Sequence, residues 1–332
     1  MSIQDRFRSR GASFFSLGHN TEEIDNLPEF LAAREMNYGV KKVQVSIPSW
    51  QIQNSTPVLG SERVENQYVI QRDSDRAVVS PMTVSRQYGE ISPLDMAKDL
   101  TPFIEEGLAV PDSAFKIRQG CVENVEAIAL RLNLTDADPF QERLGEVYRA
   151  YLVARNYHGR GSAAAMLFLE RTVSSSLYTA IAEVSGFRIV HRGDVRDKYA
   201  LAMSRWAELR KLMQTLANRL GTLGDVPMSH GEAEVFVDTL LKIRTGEELK
   251  AQKRNLRAAF LDAFNMPRFG TFGKSAADMY HGVTWVGSHY TAEKSKLDAD
   301  DIMIGLLEGT RGSREKRALG LLDAFVANKT GN

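Results

Sequence analysis

Hydrophobic and polar positions alternate along much of the first half of the chain, and recur at three- and four-residue steps in the second. Val40–Ile47 is β-branched and bounded by Gly39 and Pro48, which predicts a strand. Glu65–Arg72 predicts a second, and Asp73-Ser74-Asp75 a turn before Ala77-Val78-Val79. Pro93 opens a predicted helix over Leu94–Glu106, because proline suits the first helical turn. Phe115–Arg118 and Val125–Leu132 predict a hairpin turning near Gly120. Val147–Asn156 and Met166–Val173 are apolar runs around His158-Gly159-Arg160-Gly161-Ser162, a hairpin tip by its glycines. Ser174-Ser175-Ser176 is expected to cap a helix over Leu177–Val184, and Ser49–Ser61 to form a loop.

Beyond Val195 the period is helical. Trp206, Leu209, Leu212, Met213, Leu216 and Leu220 share one face of a long helix, which places Trp206 in the core. Ser229 with Glu232 forms a capping-box pattern before Val235–Ile243. Further helices are expected over Glu247–Phe264, Ala276–Ala292 and Arg314–Ala327. The pattern predicts an α+β protein: an antiparallel, hairpin-rich sheet packed with a helical C-terminal part. Residues 1–190 form the mainly β part and residues 191–332 the helical part, expected on the same core.

Composition narrows the function classes. Of 332 residues, 43% are hydrophobic and 25% charged, which excludes collagen-like and wholly disordered chains. Forty-two basic residues balance 42 acidic ones, so this is no histone-like binder. The balance hides an asymmetry, with a net −6 over residues 1–150 and +6 over residues 151–332. Arg188–Arg219 and Lys242–Lys274 each hold eight Arg or Lys against three acids. A lone cysteine, Cys121, forms no internal disulfide and suits a reducing cytoplasm. No apolar run approaches the roughly 20 residues that span a bilayer, so no membrane partner is expected.

Motif chemistry is sparse. Gly159-Arg160-Gly161-Ser162-Ala163-Ala164 satisfies G-x-G-x-x-A, but a dinucleotide site needs a helix next, where Met166–Val173 reads as a returning strand. Gly270–Ser275 resembles a phosphate loop with only two residues between its glycines instead of four. His19, His158, His191, His230, His281 and His289 are dispersed without zinc spacing, so neither metal nor cofactor is expected. The basic stretches point to backbone-tracking contacts with a polyanion, with Arg155, Arg160, Arg188, Arg192, Lys253, Arg254 and Arg257 as candidates.

Several segments resemble, in order, the phage/plasmid-like proteins of domain-of-unknown-function family 932. Phe14–His19 is similar to that family's "W-x-G-L-G-T" element, and Ile70–Tyr88 to its "R-x-D" followed by "V-S-x-x-Y". His158, Gly161 and Ser162 approximate its "H-D-G-S" tip, and Arg171-Thr172-Val173-Ser174 its next strand. His281–His289, with Thr284, resembles "N-A-V-T-E-x-x-D-H", and Gly309, Lys316, Ala318 and Leu319 echo a closing pattern. The resemblance implies a mobile-element origin and an intracellular protein without an established reaction. By looser analogy with single-strand annealing proteins, it points to an oligomer that binds single-stranded DNA without sequence preference. Two other readings stand beside it. One is an enzyme on nucleotides or nucleic acid, with His158, His191 and Asp194 as acid–base groups. The other is a structural or host-interaction protein whose contact surface is hydrophobic and whose basic residues are scattered.

Overall fold

Strand pairing organises the molecule. The computed structural model describes residues 26–53, 56–119, 122–133, 148–159, 161–173, 178–204, 209–244, 246–266, 273–287, 307 and 310–331. Helix α1 (Leu27–Ala33) precedes a long hairpin, β1 (Val40–Gln53) with β2 (Thr56–Arg72). Helix α2 (Pro93–Glu105) leads into β3 (Ala109–Gln119), β4 (Val122–Leu132), β5 (Tyr148–Tyr157), β6 (Ser162–Val173) and β7 (Tyr178–Val190). Helices α3 (Val195–Ser204), α4 (Leu209–Asp225), α5 (His230–Leu240), α6 (Ala251–Phe264), α7 (Ala276–Trp285) and α8 (Thr310–Thr330) follow.

β3 to β7 form a five-stranded antiparallel meander in chain order. Both faces of its centre are covered. Ile128, Leu130, Ala150, Leu152, Ala163, Ala165 and Leu167 join a core cluster with residues from each of the eight helices among the described residues. Val125, Ala127, Ala129, Tyr151, Val153, Met166 and Phe168 pack together on the opposite face, with Leu307. Two buried faces explain why Ala127–Leu130 in β4 and Ala150–Ala154 in β5 are uninterrupted apolar runs. Each fully buried aliphatic side chain contributes about 1.5–3 kcal/mol.

The expected α+β architecture is present, with antiparallel sheets in the N-terminal and central region and helices in the C-terminal part. Local chemistry accounts for several boundaries. Ser92 and Asp95 cap α2 reciprocally, as Ser229 and Glu232 cap α5 and Ser275 and Asp278 cap α7. Gly161 permits the β5–β6 turn, since a Cβ there would lie 2.3 Å from the Tyr157 ring.

Two expectations fail. Tyr178–Val190 is a strand, so the helix over Leu177–Val184 does not form. Tyr178, Thr179, Ile181 and Val184 favour extended backbone, and β6 offers that segment a full ladder of hydrogen bonds. Ser49–Ser61 is no loop but the distal part of the β1–β2 hairpin, with Trp50 opposite Leu59 and Ile52 opposite Pro57. Trp206, Cys121, Gly120, Ser174–Ser176, Gly270 and the Phe14–His19 element lie outside the described residues.

The helical layer is tightest where α7 crosses α6. A Cβ on Gly282 would stand 3.1 Å from the Phe264 nitrogen and 3.3 Å from the Ala263 carbonyl carbon. Gly282→Val therefore forces the two backbones apart and is expected to cost about 1–3 kcal/mol, read as a lower urea midpoint at unchanged slope.

Candidate functional site

Three features compete as the working part of the molecule: a buried polar cluster, an acidic cleft beside it, and the exposed hairpin.

The cluster sits at one end of the sheet, on the helix-covered face. Register places Glu126 of β4 directly opposite Asn156 of β5. Glu126, Asn156 and His158 all have zero exposure. The Tyr38 hydroxyl donates to Glu126 Oε1 at 2.6 Å, and His158 Nε2 lies 3.1 Å from Oε2. Burial opposes ionisation of Glu126, but the His158 charge and hydrogen bonds from His158, Tyr38 and Asn156 outweigh it. They hold the carboxyl below its usual range. An ionised carboxylate only accepts, so His158 donates through Nε2. Asn156 Nδ2 donates to the Ile91 carbonyl at 2.6 Å.

His191, just past β7, stacks on Tyr88 with ring centroids 4.7 Å apart, and lies 6.5 Å from the His158 ring. Its Nδ1 donates to the Gly89 carbonyl at 2.9 Å. Burial pushes its pKa down to about 4, so the ring is neutral at pH 7. Tyr88 in turn accepts from the Gly159 amide at 3.1 Å. The guanidinium of Arg72 lies 4.7 Å from the Tyr38 ring centroid and bonds Glu123. The sequence-nominated His158 and His191 thus come together, while Gly161 packs against the Tyr157 ring at the adjoining turn. Glu126 and Asn156 carry no motif, being isolated polar residues in apolar strands, and neither does Tyr38, while Tyr88 enters the sequence reading only as the last residue of the "V-S-x-x-Y" element.

A carboxylate–imidazole pair of this kind is acid–base machinery when a substrate can reach it. Here the pair is enclosed, and what it does is bind chain to chain: β4, β5, the approach to β1, and the segment carrying Tyr88, Gly89 and Ile91. Among the described residues no group of three or more His, Cys, Asp or Glu could hold a metal ion.

The Gly89–Ile91 segment is also the floor of a cleft between α2 and α3. One lobe of about 300 Å³ is lined by Ile91, Asp95, Lys98, Asp99, Arg196 and Tyr199 among others. A neighbouring lobe of about 270 Å³ adds Gly89, Glu90, Gly193 and Asp194. With Asp197, five carboxylates face two cations there, and Arg196 is already paired with Asp95. Burial, and then the Asp95 charge, raise the Asp99 pKa. This cleft repels polyanions. Asp194 lines it, whereas His158 does not.

The described basic candidates are carried by β5, by β7 and the residues just after it, and by α6. Arg155 is 0% exposed and donates to the Ser162 carbonyl at 2.9 Å and hydroxyl at 3.3 Å, so its proposed role as a phosphate contact is corrected to a brace of the β5–β6 hairpin. Arg257 bonds Asp238 at 2.6 Å and Glu234 at 3.5 Å. Lys253 bonds Glu247 at 2.9 Å and the Lys242 carbonyl at 3.1 Å. Arg254 stands exposed on the same helix. Arg188 and Arg192 are exposed at the far end of β7, where Arg188 reaches the Leu307 carbonyl at 3.5 Å. Arg171 is buried near Tyr148 and His281, which meet at 3.0 Å. Thr284 donates to the His281 carbonyl, and Lys316 is half-buried on α8. Arg160 and His289 lie outside the described residues.

The hairpin supplies what the cleft and the basic residues do not, an uncovered apolar surface. From Val43 through Ser61 there is no charged side chain. Alternation puts Pro48, Trp50, Ile52, Pro57 and Leu59 on one side of the paired strands. Trp50 is 74% exposed, Ile52 81% and Leu59 62%. None of the three belongs to a core cluster. A bulge separates this distal part from the base, where Val45 alone faces Val64–Gln67 and Asn66 takes a positive φ of 55°. The charge-free run was the signal available in the sequence.

Fold and site together define an α+β protein with a doubly covered meander, a buried acid–histidine brace and a projecting hairpin. The family model described as "Domain of unknown function (DUF932)" matches residues 82–300, and the chain belongs to that family. The match includes the sheet, Glu126, His158 and His191, and begins after the hairpin. The searches of curated proteins and of solved structures give no match. Among the described residues no helix is long and apolar enough to cross a membrane.

The cluster couples stability to acidity. A histidine whose folded pKa is about 4, against an ordinary 6.5, binds its proton less readily when folded. Its contribution is complete above pH 6.5 and disappears as pH falls toward 4, an effect of about 3 kcal/mol. Buried His281, also held well below its ordinary value, acts in the same direction. Urea unfolding at pH 7, 5.5 and 4.5 is expected to show this loss. His191→Phe should unfold more easily at pH 7 yet lose less stability on acidification.

Proposed function

We propose that this protein works by binding other protein chains, as an assembly or host-interaction factor of a phage or plasmid acting in the bacterial cytoplasm. The observation that carries this reading is the distal β1–β2 hairpin, with Trp50, Ile52 and Leu59 held out in solvent on one uncharged face. Exposed contiguous apolar surface of this kind is a mark of contact sites. The distribution of cations supports it as well, since Arg155 is buried and Lys253 and Arg257 are engaged by carboxylates. The enclosed Glu126–His158 pair serves the fold in this reading and carries out no turnover.

Binding of single-stranded DNA is the second reading. It rests on Arg188, Arg192 and Arg254, which remain exposed, and on the positive second half of the chain. A phosphate-tracking surface would bind an oligonucleotide with steep salt dependence.

Two measurements separate the readings. Immobilised protein is expected to retain partners from host lysate, and W50S/I52S to lose them at unchanged circular dichroism. Fluorescence anisotropy with a labelled single-stranded oligonucleotide at low salt is expected to stay flat at micromolar protein. Saturable, salt-sensitive binding abolished by charge reversal at Arg188 and Arg192 would replace the interaction reading with the nucleic-acid one.

A further inference from the structure

We infer that the partner of the distal hairpin is a second copy of this chain, seated face to face on the same hairpin about a two-fold axis. The inference rests on the interaction reading above and names its occupant.

Charge is the first reason. A two-fold contact sets residue i of one copy against j of the other and j against i, so a charge on the face must find its complement on that same face or be buried unpaired. The hairpin has none from Val43 through Ser61, in a chain where a quarter of the residues are charged. The same neutrality disfavours a nucleic acid or an anionic lipid surface, both of which require Lys or Arg at the contact.

Area is the second. With exposures of 74%, 81% and 62% for Trp50, Ile52 and Leu59, and exposed prolines at 48 and 57, one copy offers roughly 600 Å², taking full side-chain areas of about 150–250 Å² for the largest groups. Two copies then bury about 1,200 Å² in total, the lower bound for a specific interface. A single hairpin set against a flat polar surface would recover only part of that.

Backbone chemistry fixes the mode of contact. Pro48 and Pro57, one in each strand, bring no N–H to a ladder. Proline in both strands hinders extension of the hairpin edge-on by a further strand, so the apolar face is the side left for contact. The bulge opposite Val45 sets this face apart from the base of the hairpin, where Tyr68 and Val84 are bridged.

Light scattering coupled to size exclusion tests the inference on the full chain. Wild type is expected at twice the 37.0 kDa chain mass at micromolar concentration. W50S/I52S is expected at the single-chain mass with unchanged circular dichroism, since neither side chain belongs to a core cluster. Val58→Ser, on the opposite side of the same strand as Leu59, is expected to remain dimeric. A monomeric wild type overturns the inference, and so does a dimer that survives in W50S/I52S. If wild type is monomeric while W50S/I52S still loses its lysate partners, self-association fails and the interaction reading stands. If that variant loses neither, both fail.

Discussion

An ionised carboxylate at zero exposure must find within the protein the solvation it gave up in water. Glu126 meets that requirement with Tyr38 from before β1 and with Asn156 and His158 from the end of β5, two stretches far from it in sequence. The constraint runs outward from there. Asn156 and His191 hold the Ile91 and Gly89 carbonyls, and those residues line the cleft between α2 and α3. Losing the carboxylate would leave a buried hydroxyl, amide and imidazole competing for partners, which is costlier than losing the pair as a whole.

Much of the fold was legible because local chemistry and tertiary context agreed. The Ser229–Glu232 capping box, the proline start of α2 and the glycine-rich tip after Tyr157 each behave as short-range rules require. The strand Tyr178–Val190 was misread because a serine run resembles a helix cap. The deciding factor was the open edge of β6, which lies outside any local window. The segment Ser49–Ser61 was misread for a related reason. Its serines, prolines and glycine are the residues of loops, yet cross-strand pairing carries them as extended chain.

The site was less legible. His158 and His191 were found through their neighbours in sequence, but their partner Glu126 sits in an apolar strand with nothing to mark it. Positive charge along the chain need not be positive surface. Arg155 shows why: its alternation in β5 places it among Tyr151 and Val153, on a face that is fully covered. Charge density along a chain does not fix charge density in space. Absence of charge proved the more local signal, because nineteen neutral residues in a hairpin have nowhere else to go.

The bulge at Val45 has a consequence for how such a chain can change. Register in the distal hairpin runs from Ser46 opposite Arg63 to Gln53 opposite Thr56, and register at the base is set by Gln44 opposite Tyr68; four residues facing one absorb any disagreement between them. Paired insertions or deletions beyond the bulge therefore lengthen or shorten the projection without rotating a single core side chain. Reach is an adjustable dimension of this molecule, independent of the invariant body from which it extends.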